Sequence, residues 1–181
     1  MNNILLILPF VTLVGISVPG CKEAPTKADA TTTANTAVTL NAEVSAQLNT
    51  VLAAYEELRD ALAGDRLSDV STIATRIEQT TIKAKQNAPS DIKSHLEKME
   101  TTAVKLKTGG SADDLRLLFG DLSRSVVSVL STHSTLARGR HIFQCPMAQG
   151  YQKWVQTSEK LENPYMGGKM LSCGSTSEWS L

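Results

Sequence analysis

Aromatic side chains make up only 4% of this 181-residue chain, and 18 Lys plus Arg are balanced by 18 Asp plus Glu. The shortage of rings disfavours a β-sandwich core or a base-stacking surface. The absence of net charge removes the basic stripe with which a nucleic-acid binder displaces counterions from phosphates, so no nucleic-acid partner is expected. It also argues against polybasic attachment to a membrane surface. Three cysteines are too few for a disulfide-framed fold. What is present is 41% hydrophobic and 20% charged residue, an ordinary globular mixture. The expectation is one domain of helices packed through Leu, Val, Ile and Ala.

The N-terminus reads as an address. Residues 4–18 form an apolar run too short to span a membrane comfortably, and it ends in Val18-Pro19-Gly20-Cys21. A small residue directly before a cysteine in this position resembles the lipobox of bacterial lipoproteins. Cleavage would then precede Cys21, whose sulfur receives diacylglycerol and whose new amine is acylated, and several chains give stable anchoring. Met1-Asn2-Asn3 departs from the pattern in having no Lys or Arg. On this reading residues 1–20 are a signal peptide and the protein is a membrane-anchored lipoprotein of the bacterial envelope facing the periplasm. Lys22 after the cysteine resembles an outer-membrane destination. The other reading is a cleaved secretory signal with an incidental cysteine. Ten of the sixteen residues 22–37 are Ala or Thr and none is large and apolar, so 21–37 reads as the lipidated cysteine with a flexible tether.

From Leu40 the apolar residues recur every three or four positions through Val44, Leu48, Val51, Leu52, Tyr55, Leu58 and Leu62, one helical face that Gly64-Asp65 stops. Leu67, Val70, Ile73, Ala74, Ile77 and Ala84 mark a second helix, which ends near Pro89. Ile92, Leu96, Met99, Ala103 and Leu106 mark a third, closed by Gly109-Gly110. Ser111-Ala112-Asp113-Asp114 then supplies an N-cap and acidic first turn for a fourth helix carrying Leu115, Leu118, Phe119, Leu122, Val126, Val129 and Leu130. Short connections make neighbours antiparallel. The predicted fold is all-α: an up-down four-helix bundle over 38–138, with an irregular Cys/Met-rich segment, 139–181, packed on it as part of the same domain. A short helix from Gln149 to Leu161 is the one element expected in that segment. Gly120, inside the fourth helix, marks close packing by the tail.

The tail concentrates chemistry. It holds both tryptophans, Cys145, Cys173, Met147, Met166 and Met170. Thiolate and thioether are soft donors that select Cu(I) over oxygen-seeking ions, and Met is not a usual zinc ligand. Pro146 fixes the turn between Cys145 and Met147, letting both side chains converge, and Met170 lies three residues before Cys173. The candidate metal ligands are Cys145, Met147, Met170 and Cys173, with Met166 joining if Gly167-Gly168 bends the chain and His141, four before Cys145, adding an imidazole. The same two cysteines could instead form a structural disulfide, stabilising the fold by roughly 3–4 kcal/mol in the chain-entropy picture. The residues alone leave both alternatives open. His95 and His133 read as exposed or packed helical residues. A Cys145–His141 dyad has no orienting partner, so catalysis is not expected. Gly167-Gly168-Lys169 fails as a phosphate loop, because Met170 stands where Ser or Thr is required.

Cys145-Pro146-Met147-Ala148, Trp154, Asn163-Pro164-Tyr165-Met166-Gly167 and Met170-Leu171-Ser172-Cys173-Gly174, preceded by Phe119-Gly120-Asp121-Leu122-Ser123, resemble the signature of a bacterial envelope domain of unknown function. Its pattern is C-P-M-A, N-P-Y-F-G and M-L-x-C-G after a helical F-x-x-L-S element, and the likeness covers about residues 45–175. Met166 departs from it, standing where Phe is usual. That family occurs on lipoproteins and appended to heavy-metal efflux adaptors of the CusB or HlyD type. The resemblance implies metal handling, with copper as cofactor and efflux components as partners, and makes Trp154, Asn163, Pro164 and Tyr165 the residues that shape the site. The expected function is a non-enzymatic soft-metal lipoprotein that buffers metal or passes it on; the rival is an interaction domain stapled by a Cys145–Cys173 disulfide. Replacing Cys21 with Ser should remove acyl label and release the protein from membrane fractions or block its processing, and a mutant that keeps both label and sedimentation rules out the lipobox.

Overall fold

A computed structural model describes residues 40–180; the lipobox at Cys21 and the segment 22–37 lie outside the described residues. Helix α1 (Ala42–Ala63) starts where Asn41 Oδ1 accepts the Val44 N–H at 2.8 Å. It buries Val44, Leu48, Val51, Leu52, Tyr55, Leu58 and Leu62, the stripe expected from spacing. Gly64 N–H closes it on Asp60 O at 3.0 Å, and Asp65 takes the left-handed conformation, φ 56°. A 3-10 turn at Leu67–Asp69 leads into α2 (Val70–Asn87). Pro89 occupies the N-cap of α3 (Ser90–Lys107), which its ring suits and its missing N–H does not harm. Ahead of α4 (Ala112–Thr132), Ser111 Oγ accepts the Asp114 N–H while the Asp114 carboxylate accepts the Ser111 N–H, a complete capping box. The four helices pack in chain order as an up-down bundle around Leu58, Ile77, Ile92, Leu96, Leu106 and Leu122, all fully buried.

After a single helical turn, α5 (Ser134–Ala137), the tail is more regular than expected. It forms β1 (His141–Gln144), β2 (Lys153–Gln156) and β3 (Ser175–Thr176), an antiparallel sheet in the order β2-β1-β3. The short helix expected over Gln149–Leu161 does not form: its centre is strand β2, paired with β1 so that Phe143 faces Trp154 and Ile142 faces Val155. Cys145-Pro146-Met147-Ala148 reverses the chain, with the Ala148 N–H on Cys145 O at 3.1 Å and the Cys145 N–H on Gln152 O at 3.0 Å. Trp and Val gain more from a cross-strand aromatic and β-branched neighbour than from one helical turn without an apolar stripe.

The sheet and bundle share one core. Tyr55 stacks on Phe119 at 5.3 Å between centroids, Phe119 meets Tyr165 edge-on at 5.5 Å, Tyr165 meets Trp154 at 5.9 Å, and Trp154 stacks on Phe143 at 5.6 Å. Tyr55 Oη also accepts the Val155 N–H of β2 at 3.2 Å and shares a 2.7 Å hydrogen bond with Ser123 Oγ of α4. At the side of this column a Cβ on Gly120 would lie 3.0 Å from the Tyr151 carbonyl oxygen. Gly120→Ala gains about 1 kcal/mol of helix propensity but overpacks backbone against backbone, at a cost of about 1–3 kcal/mol. Urea unfolding should therefore show a net loss of up to about 2 kcal/mol, and a stabilised Ala variant would mean that Tyr151 does not seat against α4.

Candidate functional site

Cys145 follows directly on β1 and is fully buried; its Sγ lies 3.9 Å from that of Cys173, which is partly exposed. Both thiols are free. A disulfide brings the sulfurs to about 2.05 Å, so the bridge of the structural reading is not formed in this arrangement. Cys173 is held by backbone chemistry. Its N–H closes a turn on Met170 O at 3.0 Å, and its carbonyl accepts Asn163 Nδ2 at 2.6 Å. Asn163 is fully buried; its Oδ1 accepts the N–H groups of Tyr165 (2.8 Å) and Met166 (3.3 Å), and its own N–H donates to Leu171 O at 2.7 Å. Gly174 takes φ 140°, and a Cβ there would come within 2.7 Å of Gln144 O and 3.1 Å of the Trp154 ring. The glycine lets the Cys173 segment lie flat on β1. Loss of hydration, followed by the hydrogen bond with Cys145 and the charge there, raises the Cys173 thiol above its ordinary range.

The remaining sulfur residues separate from this pair. Pro146 does not make Cys145 and Met147 converge: the turn directs Cys145 into the core and leaves Met147 58% exposed at its corner. Met147 and Met166 instead line a surface groove of about 210 Å³, together with Arg116 and Leu117 of α4, Tyr165 and Lys169. Met170, 38% exposed, shares the turn of Cys173 through the backbone, with its side chain at the surface. His141 sits at the far end of β1, four residues or roughly 13 Å along extended chain from Cys145, so it does not reach the thiols. Among the described residues no group of three or more His, Cys, Asp or Glu side chains converges as a metal cluster.

Of the expected shaping residues, Asn163 contacts the pair directly, through the Cys173 carbonyl; the others are held by partners of their own. Trp154 is fully buried, its indole N–H on Gln156 Oε1 at 2.9 Å; Tyr165 donates to Lys153 O at 2.7 Å; Pro164 O accepts Arg116 Nε at 3.3 Å. Gly167-Gly168 does bend the chain, for a different purpose: the Gly168 N–H donates to Asp65 Oδ2 at 2.8 Å, and a Cβ on Gly167 would overlap that carboxylate. Arg116 meets the other Asp65 oxygen at 2.5 Å. Arg59, nearly buried, pairs with Asp60 and with Glu162 of the tail (3.4 Å), and Glu56 accepts both the N–H (2.7 Å) and hydroxyl (2.6 Å) of Thr157. Sequence reasoning missed these anchors on α1 and in the turn after it, because an exposed-looking Glu, Arg or Asp near an apolar stripe carries no mark of a partner far along the chain.

These features define a helical bundle whose C-terminal β-hairpin and loops bring together one buried and one partly exposed thiol. Residues 51–137 match the family described as protein of unknown function (DUF3347), and a domain of that family is present in the chain. The match covers the bundle from within α1 through α5 and stops before Cys145 and Cys173. No curated protein and no solved structure matches the chain. Among the described residues no helix is long and apolar enough to cross a membrane. Asn163→Ala would strand the Cys173 carbonyl and two tail amides. It should cost about 2–4 kcal/mol and speed modification of Cys173 by a colourimetric disulfide reagent; unchanged stability and rate would show that Asn163 does not hold the thiol loop.

Proposed function

We propose that this protein is a non-enzymatic envelope protein, anchored through Cys21, that binds a soft metal ion, Cu(I), between Cys145 and Cys173. The 3.9 Å separation of the two sulfurs carries the reading. At a metal–sulfur bond of about 2.3 Å, that separation subtends about 116° at a shared ion, between tetrahedral and trigonal values. Such an angle calls for a third ligand, and two thiolates with one further soft donor suit Cu(I), whereas structural zinc asks for four ligands. One buried and one partly exposed sulfur give an ion access from solvent on one side with a dry wall of Trp154 and Tyr165 on the other. The likeness of the tail to envelope metal-handling domains supports the same reading. It extends to a periplasmic setting at the outer membrane and to buffering of metal or its transfer to efflux components. On this reading Met170, which shares the turn of Cys173, adds the neutral third ligand by turning its surface side chain toward the pair.

Competition with a Cu(I) chelator under reducing conditions tests this. Cys145→Ser and Cys173→Ser should each lower affinity by at least about 100-fold, since a thiolate–metal bond is lost outright. Met147→Leu and Met166→Leu, which face a separate groove, should change it little. Both thiols must lose a proton to bind, and the Cys173 thiol is raised, so affinity should climb as pH rises from 6 to 8. Unchanged affinity in both cysteine variants sinks the proposal. The contact between the sulfurs also favours a second reading, a reversible Cys145–Cys173 disulfide: a count of no free thiols on the untreated protein would support it, and two would support the metal.

A further inference from the structure

Two cations, Lys98 of α3 and Arg124 of α4, make no ion pair among the described residues. His95 and Lys98 of α3, Arg124, Ser125 and Ser128 of α4, and Tyr151 of the tail enclose a pocket of about 260 Å³. We propose that this pocket binds a small oxyanion, namely phosphate or the phosphate group of a small soluble monoester. All six lining side chains carry a hydrogen-bond donor or a titratable nitrogen, and none is a carboxylate. Lys98, Arg124 and Ser125 also line the adjoining groove, which holds Glu97 and Asp121, yet among the described residues neither cation makes an ion pair with either carboxylate.

Tyr151 supplies an independent indication. The residue is only 8% exposed, and its buried hydroxyl has no hydrogen-bond partner among the described residues. A buried O–H without an acceptor is a cost, which a bound anion removes when the ring shifts to bring the hydroxyl to the pocket. Desolvation raises the phenol above its ordinary range, so at neutral pH it keeps the proton with which to donate. The Arg124 guanidinium carbon lies 5.0 Å from the centre of the Tyr151 ring, which holds that cation at the pocket. Ser125 and Ser128 donate to helix carbonyls, Asp121 O at 3.4 Å and Arg124 O at 2.8 Å, and either hydroxyl can turn toward a stronger acceptor. Desolvation, and after it the Lys98 charge, lower the His95 imidazole, so at neutral pH it faces the pocket as a neutral ring able to donate one N–H. An oxyanion seated here would join α3, α4 and the tail, independently of the thiol pair.

The test is amide and imidazole NMR on the full chain, titrated with inorganic phosphate at constant ionic strength against sodium chloride. Saturable shifts at His95, Ser125, Ser128 and Tyr151 are expected, with Arg124→Gln and Tyr151→Phe each weakening binding at least about tenfold, the scale of one charge-assisted hydrogen bond. Tyr151→Phe removes a hydroxyl that has no partner to lose, so its thermal midpoint should not fall and its reading is free of unfolding. Shifts that chloride reproduces, that fail to saturate, or that are the same in both variants overturn the proposal.

Discussion

Tyr55 lies where α1, α4 and β2 meet, and its side chain does two jobs at once. The ring begins a column of aromatic contacts that runs through Phe119, Tyr165 and Trp154 to Phe143. Its hydroxyl completes the hydrogen bonding of the Val155 amide, which would otherwise be buried without an acceptor, and of Ser123. Each aromatic pair contributes about 0.5–1.5 kcal/mol beyond burial, so the column is large against a total folding stability of about 5–15 kcal/mol. Burial raises the phenol groups of Tyr55 and Tyr165, keeping both as neutral donors. In a chain with so few rings, five of them stand in one line, and that line joins the bundle to the tail.

The F-x-x-L-S element takes its meaning from this column. Phe119 supplies a ring, Gly120 admits the Tyr151 backbone, Leu122 enters the helical core and Ser123 meets the Tyr55 hydroxyl. The other end of the column walls the thiol pair, so the geometry at Cys145 and Cys173 depends on how α1 and α4 are packed. Polar clamps from α1 and the turn after it, Glu56 on Thr157, Arg59 on Glu162 and Asp65 on Gly168, then set the tail's position along the bundle. A tail with only short strands has too little apolar area to fold by itself; it borrows its core from the helices.

Sulfur in the tail is divided by the same packing. The chain leaves the strand at Cys145 and turns, so strand alternation, which would put residues two apart on one face, breaks here: Cys145 enters the aromatic wall while Met147 stays in solvent at the corner, beside Met166. Thiols and thioethers that look like one cluster along the chain therefore occupy separate places: a thiol pair open to solvent on one side, and a surface groove.

Four helices were legible in the spacing of Leu, Val and Ile, and several of their ends in Gly64, Pro89, Gly109-Gly110 and Ser111, because helix periodicity and capping are local physics. Gly120 was legible as a packing position for a related reason: a glycine within a helix is costly unless something lies against it. The strand at Lys153–Gln156 was not legible, since its partner Ile142-Phe143 and its acceptor Tyr55 come from elsewhere in the chain. By itself, then, the sequence determined the bundle and the concentration of soft ligands in the tail. Tertiary structure alone decided that Cys145 and Cys173 meet, that Met147 and His141 stay away from them, and that Tyr151 closes a cationic pocket. Those outcomes depend on which face of a turn or strand is buried, and burial is settled only when distant segments compete for the same core.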